Sequence, residues 1–420
     1  MSKILFSAED VRADLQQTAR ALHENDLLGA YYTTFALAQA GTTIRAAEAI
    51  DRRLGLRLAV QLRRRAITEF PSRLVKLFPW WEIPRTILSR ANLGQGLDDA
   101  LLFRSITSFD RHVARRLNGY AAVYAGNGAA RASFRAAKES GALCIYGVRS
   151  FDPRFEDSLK KKEFEKFPRL RPNDAQLYKN WRLVKIQQEE WELADLMIMH
   201  SNICRDSYAA YGLDTRRVRV IPLGFPEIGP PIPVNGEERS HTLNILWAGN
   251  FSVLKGAHYF IRALEAILRS TNVEVRVFGK QMLPEHRLSD SKLPIVFRPT
   301  IPRAELFREY RWADVVVHPT LADGYGMVVA EAMSQGLAVI TTECAGVSEQ
   351  IQSGKTGLVI PAGDDGALAR ALCWCAENRE ELRAMGLRAR ETAVSWQWSH
   401  YRKGVAAAIT ELFHSRLIPR

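Results

Sequence analysis

The residues best placed to do chemistry in this chain are two carboxylates, one lysine and two closely spaced glycines. Residues 318–336 read HPTLADGYGMVVAEAMSQG. They follow the apolar run Val315-Val316-Val317, which has the composition of a buried parallel strand. Gly324 and Gly326 then mark a tight loop, and small apolar residues over 327–335 predict a helix closed by Gly336. A strand, a glycine loop and a helix aim backbone N–H groups and a positive helix end at an anion. Asp323 stands before the loop and Glu331 inside the helix. A site for phosphate alone would gain nothing from two negative side chains. A ligand bearing both phosphate and hydroxyl groups would use them, and a nucleotide-sugar is such a ligand.

Lys255 lies on a second loop, between Gly249 and Gly256. Taken alone it is an ordinary exposed lysine. Beside the Gly324/Gly326 turn it supplies the fixed positive charge that a partly desolvated diphosphate requires.

These loops need a scaffold, and the chain supplies two. At 420 residues it exceeds one ordinary domain. Apolar runs and helical periodicity predict strands near 3–6, 29–35, 120–125, 142–148, 196–199 and 218–222, with helices over 13–23, 128–138 and 175–193. The stretch PLGFPEIGPPIPVNGEERS is rich in Pro and Gly and reads as an interdomain linker. The pattern then restarts, with strands over 243–248, 273–278, 295–297, 315–317, 338–342 and 357–360. Helices are expected over 257–270, 302–312, 364–378, 379–395 and 399–412. The expected architecture is α/β, two facing Rossmann-like doubly wound domains with the active site in the cleft at their strand ends. The expected boundaries are 1–222 and 223–398, with a last helix within 399–420 packing back on the first domain.

Composition excludes several classes. No apolar run reaches the roughly 18 residues of a spanning helix, and MSKILFSAED lacks a signal-peptide core. Five scattered cysteines predict reduced thiols rather than a disulfide or metal framework. A cytoplasmic protein, with or without peripheral contact to the inner face of a membrane, is therefore expected. The net charge of +12 is concentrated early: residues 1–230 hold 36 Lys/Arg against 26 Asp/Glu, and the remainder 22 against 20. That bias suggests an anionic surface or substrate for the first half. No recognisable nucleic-acid module accompanies it, so no nucleic-acid partner is expected. Within it, PSRLVKLFPWWEIPR mixes cations with tryptophans, as an interfacial membrane segment does, or as a packing lid with snorkelling cations does. The charged run KKKEFEKFPRLRP reads as a solvated loop.

The blocks ILWAGNFSVLKGAHYFIRAL and ADVVVHPTLADGYGMVVAEAMSQGLAVITTECAGVSEQIQSGKTGLVIPAGD, preceded by LADLMIMHSNICRDSYAAYGLDTRRVRVIPLGF, resemble the GT-B glycosyltransferases of group 1 (family 4). These enzymes are retaining and metal-independent. The resemblance covers about residues 189–394 and reaches the first 150 only in outline. It implies an enzyme that moves a sugar from a nucleoside diphosphate to a glycan or a lipid-linked acceptor, as in polysaccharide biosynthesis. No cofactor and no divalent metal are then expected. No acidic pair with Mg²⁺ or Mn²⁺ ligand spacing is visible, in keeping with this. By resemblance the paired acidic motif falls on Asp323, usually Glu, and on Glu331. Asp323 would meet the donor sugar's hydroxyls and Glu331 the ribose. Gly249, Gly324, Tyr325, Gly326 and Met327 would line the phosphates and sugar, Lys255 would hold the diphosphate, and the loop from Arg298 would select the base. The family often carries an arginine shortly before that lysine; Asn250 and Leu254 stand at those positions here. The first domain lacks the usual glycine loop, with SAEDVRADLQQ in its place. Asn127 is the candidate for the usual active-site histidine, with His112 as the alternative; Arg149, at a strand's carboxyl end, is a further active-site candidate. A non-catalytic member of a polysaccharide assembly complex is the competing reading.

Overall fold

The computed structural model describes residues 3–37, 65–67, 69–82, 95–126, 128–170, 181–226, 242–284 and 293–417, together with Arg45 and Ala49. The expected site residue Asn127 lies outside them.

Two parallel sheets organise the chain. The first contains β1 (Ile4–Ala8), β2 (Leu28–Thr33), β3 (Val75–Leu77), β4 (Ala122–Ala125), β5 (Leu143–Gly147), β6 (Leu196–Met199) and β7 (Val218–Val220). Its order is β3-β2-β1-β4-β5-β6-β7. The helices of this half are α1 (Ala13–Glu24), α2 (Gln95–Ala114), α3 (Arg131–Ser140), α4 (Pro153–Lys166), α5 (Trp181–Leu193) and α6 (Asn202–Ala209).

The second sheet has β8 (Leu243–Ala248), β9 (Val273–Phe278), β10 (Ile295–Arg298), β11 (Val315–His318), β12 (Ala338–Thr342) and β13 (Leu358–Ile360), ordered β10-β9-β8-β11-β12-β13. Its described helices are α7 (Ala257–Ile267), α8 (Arg303–Trp312), α9 (Met327–Ser334), α10 (Asp365–Glu377) and α11 (Arg379–Ser395), and α12 (Trp398–Leu417) is the last of the described elements. In each sheet the strand order reverses at the first strand, between β1 and β4 and between β8 and β11. A doubly wound sheet opens its binding crevice at that point.

The central strands are apolar on both faces because helices cover both. β11 is buried at every position, as are β1, β4, β5 and β12. Phe6 stacks between Tyr31 and Tyr124 at 5.1 and 4.5 Å in the first core, and Trp247 packs against Phe251 and Phe260 in the second.

The chain crosses between the sheets twice. Phe225 N–H donates to the Trp396 carbonyl at 2.9 Å, and a β-carbon on Gly224 would collide with the Trp398 backbone. After that crossing α12 lies on α1, where the Thr18 and Tyr401 hydroxyls share a 2.7 Å hydrogen bond.

Two early stretches differ from the sequence reading. The run KKKEFEKFPRLRP was expected to be a solvated loop, yet its residues 160–166 are the end of α4. Asp152 caps that helix by accepting the Arg154 N–H at 2.7 Å, and Pro153 sits in its first turn, where its missing donor costs nothing. The charge run hid the helix because its buried partners lie in the other domain. The Trp-rich segment contributes β3, an edge strand pairing in parallel with β2. Trp81 lies 4.4 Å under the Arg104 guanidinium, whereas Trp80 is 74% exposed.

Candidate active site between the two sheets

A cavity of about 250 Å³ opens where the carboxyl edges of the two sheets meet. Arg12, Asp14, Arg149 and His200 line it from the first sheet. Gly249, Lys255, His318, Asp323, Tyr325, Gly326 and Met327 line it from the second.

Most of these residues lie on loops that leave strand ends, while Arg12 and Asp14 stand at the start of α1 and Met327 begins α9. Lys255 closes a one-turn helix over Val253–Lys255, followed by Gly256 at φ +75°. Only glycine serves at that position, because the conformation is left-handed and a β-carbon would strike the Pro319 carbonyl. The Leu254 carbonyl accepts the Leu321 N–H at 2.8 Å and the Thr320 hydroxyl at 3.1 Å. The lysine turn is thus fastened to the loop leaving β11.

The Lys255 ammonium donates to Asp323 Oδ2 at 2.6 Å and to the Ala322 carbonyl at 3.2 Å. His318, the last residue of β11, brings Nε2 to 3.0 Å from the same Asp323 oxygen. Burial alone would push the Asp323 carboxyl up. The Lys255 charge and the His318 hydrogen bond instead hold it well below the usual carboxylate range. Asp323 is therefore a fixed anion, an acceptor for hydroxyl or ammonium groups rather than a proton donor.

The loop after Asp323 is held on both sides. Asp323 N–H donates to the Cys344 carbonyl at 3.0 Å, and Gly346 N–H returns to the Asp323 carbonyl at 3.0 Å. Tyr325 donates its N–H to Asp323 Oδ1 at 3.3 Å and its buried hydroxyl to the Leu223 carbonyl at 2.6 Å. Gly326, at φ +91°, turns the chain into α9, whose first N–H groups face the cavity end of the helix. Gly324 packs on the backbone of Arg149 and Ser150 across the interdomain seam, leaving no room for a β-carbon, and its carbonyl accepts from Ser201 Oγ at 2.8 Å. Glu349 of the second domain reaches the first, accepting Asn202 Nδ2 at 2.8 Å and Ile203 N–H at 3.0 Å.

Glu331 and Arg298 lie outside this cavity. Glu331 sits one turn into α9, paired to Arg303 at 3.0 Å with the Tyr310 hydroxyl at 3.4 Å; burial raises its carboxyl, and Arg303 and Tyr310 oppose that. Arg298 ends the edge strand β10 and is exposed. His112, the alternative for the missing histidine, is on α2 with its ring 4.2 Å from Phe78 and a hydrogen bond to Arg116; it does not line the cavity.

Arg149 does line the cavity, and its setting was not readable from sequence. Its guanidinium is ion-paired with Glu9 and lies 3.3 Å from Asp10, both in the loop that replaces a glycine turn after β1. Burial opposes the charge on Arg149, but Glu9 and Asp10 hold it firmly protonated. Burial and the neighbouring Glu9 push Asp10 up to about 6. His200 was missed as well. It is buried at the end of β6, its Nδ1 is 3.3 Å from the Ile221 carbonyl, and burial pushes its pKa down to about 4. A strand-end position was the one signal that could have found it.

The amino end of α3, beside the Asn127 position, is closed by the protein's own carboxylates. Glu190 accepts N–H groups of Gly128, Ala130 and Arg131 at 2.8, 2.8 and 3.1 Å, and the Tyr146 hydroxyl at 3.0 Å. Asp110 accepts those of Ala132 and Ser133. The corresponding helix end in the second domain, α9, has no such carboxylate among the described hydrogen bonds. No group of three or more His, Cys, Asp or Glu among the described residues is placed to hold a metal ion.

Residues 242–378 match the family described as glycosyl transferases group 1. A D-inositol 3-phosphate glycosyltransferase of Paenarthrobacter aurescens (strain TC1) is 28% identical over 227 residues, 50% of this chain and 55% of that protein. The sulfoquinovosyl transferase SQD2 of Arabidopsis thaliana is 35% identical over 109 residues, 25% of this chain and 21% of that one. The matches span 55%, 28% and 60% of three of the curated relatives. Among solved structures, Anabaena Alr3699/HepE in complex with UDP-glucose superposes with a TM-score of 0.62 at 15% identity, over 98% of this chain and 100% of that one. Sucrose-phosphate synthase of Thermosynechococcus elongatus does so with 0.61 at 16% identity, over 99% of each. The two sheets and the helices around them have the GT-B fold that these structures share.

Proposed function

We propose that this chain, whose residues 242–378 are a glycosyl transferases group 1 domain, transfers a sugar from a nucleoside diphosphate to a hydroxyl acceptor with retention at the anomeric carbon. The observation that carries this is the Lys255–Asp323–His318 group at the switch point of the second sheet, closed over by strand ends of the first. Cleaving a glycosyl phosphate builds negative charge on the departing diphosphate and positive charge on the sugar. Lys255 and the amino end of α9 meet the first, and the fixed carboxylate of Asp323 suits the sugar's hydroxyls. Glu331, half a helix away, would take the ribose. Tests of Asn127 and Arg298 as acceptor-side and base-side contacts follow the same assignment.

The reaction we infer is a same-face substitution. The departing phosphate oxygen takes the acceptor's proton, the acceptor oxygen bonds the anomeric carbon, and the glycosyl–phosphate bond breaks. Lys255 supplies the charge that a divalent metal would otherwise supply, so activity is expected to survive EDTA.

The acceptor we infer is a glycan or a lipid-linked acceptor, reached by a protein in peripheral contact with the inner face of a membrane. Leu77, which ends the edge strand β3, and Trp80 just beyond it are exposed beside Lys76 and support that surface contact. No described helix is long and apolar enough to cross a membrane.

A thermal-shift screen against UDP-, GDP-, ADP- and TDP-sugars tests the donor class, because a ligand of the folded state raises its melting temperature. Donor hydrolysis by wild type, Lys255→Ala and Asp323→Ala then tests the roles. A wild type that neither binds nor hydrolyses any of these donors refutes the enzyme reading and leaves the non-catalytic partner.

A further inference from the structure

The turn that carries Lys255 is held from two directions, and one of them is the other domain. On its own side it is fastened to residues 319–321, as described above. On the opposite side α4 of the first domain packs directly against the Val253–Lys255 turn and the start of α7. The contact is made of specific polar groups. Glu163 on α4 accepts from His258 Nε2 at 2.8 Å and from the Tyr259 hydroxyl at 3.2 Å. Lys166 donates to the same hydroxyl at 3.0 Å. Phe167 turns its ring edge to His258 and Tyr259 at 5.2 and 5.6 Å, and the Arg262 guanidinium lies 5.7 Å from that ring. The His258 side chain is 3% exposed and that of Glu163 is 13% exposed.

A buried acid–histidine contact is a poor source of net stability, because desolvating both groups offsets their attraction. What it supplies is direction: a carboxylate accepting two donors at once fixes both. The two donors here are the second and third residues of α7. His258 follows Lys255 by three residues, with only Gly256 and Ala257 between. Holding His258 therefore sets where the helix begins and where the lysine turn ends. Gly256, in the left-handed conformation, would otherwise be the freest point of that turn.

We propose that Glu163 is a positioning residue for Lys255: through His258 and Tyr259 the first domain fixes the lysine turn of the second in the place where it meets a diphosphate. The proposal rests on the reading that Lys255 binds that group. It gives α4 a role in the donor site without any contact between α4 and the donor. Because the clamp joins two domains, donor phosphate binding and domain apposition become linked, each favouring the other.

The test uses the full chain and whichever of UDP, GDP, ADP and TDP stabilises it most, with the matching nucleoside as control. Affinity for the diphosphate is measured by titration calorimetry and for the nucleoside by ligand-detected NMR. Glu163→Ala and His258→Ala are each expected to weaken the diphosphate 5- to 20-fold and to leave the nucleoside within twofold. The double variant is expected to be no weaker than the weaker single one. Glu163→Gln, which keeps one acceptor, should fall between wild type and Glu163→Ala. Equal loss for diphosphate and nucleoside would show general loosening and overturn the proposal, as would unchanged diphosphate affinity in both single variants. Wild type that binds none of the four diphosphates removes the reading of Lys255 itself, and the proposal falls with it.

Discussion

Substituting Lys255 should weaken a bound nucleoside diphosphate, whereas substituting Asp323 should not. Without ligand, the Lys255 ammonium is engaged by Asp323 at 2.6 Å and by the Ala322 carbonyl. A diphosphate has to draw it away or share it. Two unit charges about 4 Å apart interact by about 4 kcal/mol at an effective dielectric near 20. Exchange against Asp323 and water leaves a net charge-assisted contact of about 1.5–3 kcal/mol. Lys255→Met should therefore weaken a bound nucleoside diphosphate by roughly 10- to 150-fold, at 1.4 kcal/mol per decade.

Asp323→Asn releases the ammonium and removes a like charge from the diphosphate's surroundings. It should bind the diphosphate as tightly as wild type or up to about tenfold tighter, yet lose nearly all donor hydrolysis and transfer. Both variants lose the ion pair, whose partners are 28% and 22% exposed, so each should be destabilised by a similar 1–3 kcal/mol, below the cost of breaking a fully buried pair. Calorimetric titration and thermal melts separate binding from folding. If both variants lose affinity equally, Lys255 acts only as a strut for Asp323 and its assignment to the diphosphate is wrong.

Other outcomes follow from the same geometry. The depressed pKa of His200, about 4, means the fold holds it neutral, so its contribution is present above the unfolded value near 6.5 and is lost as pH falls toward 4. Between pH 7 and 5 wild type should lose about 2 kcal/mol more stability than His200→Gln, measured by urea melts; parallel losses would refute this. Glu190→Gln places an amide N–H₂ against backbone donors at the start of α3 and should cost about 2–4 kcal/mol in the same melts; a change under about 0.5 kcal/mol would contradict the cradle. Gly324→Ala inserts a methyl group between the two domains at the Arg149 carbonyl. It should destabilise by about 1–3 kcal/mol and raise the radius of gyration seen by X-ray scattering, and an unchanged profile with native stability counts against a tight seam. For the surface reading, Trp80→Ala should lower co-sedimentation with vesicles containing anionic lipid; wild type that fails to sediment with them ends that reading.

Much of the second domain was legible in its residues. The strands expected over 243–248, 273–278 and 338–342 are β8, β9 and β12 residue for residue. The glycine loop and α9 lie where the spacing placed them. Short strand segments rich in apolar residues, glycine turns and helical periodicity are local properties, and a central parallel strand covered on both faces needs no distant partner to be recognised.

The first domain's share of the site was decided elsewhere. Glu9 and Asp10 meet Arg149 some 140 positions along the chain, Glu163 meets His258 after 95, and Ser201 meets Gly324 after 123. Each is an unremarkable polar residue in its own neighbourhood, and α4 reads as a solvated charge run until α7 is placed against it. Sequence determines which side chains exist and which local shapes they favour. Which of them share a buried volume, and so which charges are fixed, neutralised or aimed at a ligand, is determined only when the two sheets close on each other. There desolvation makes a pairing that water would screen into one that holds the site.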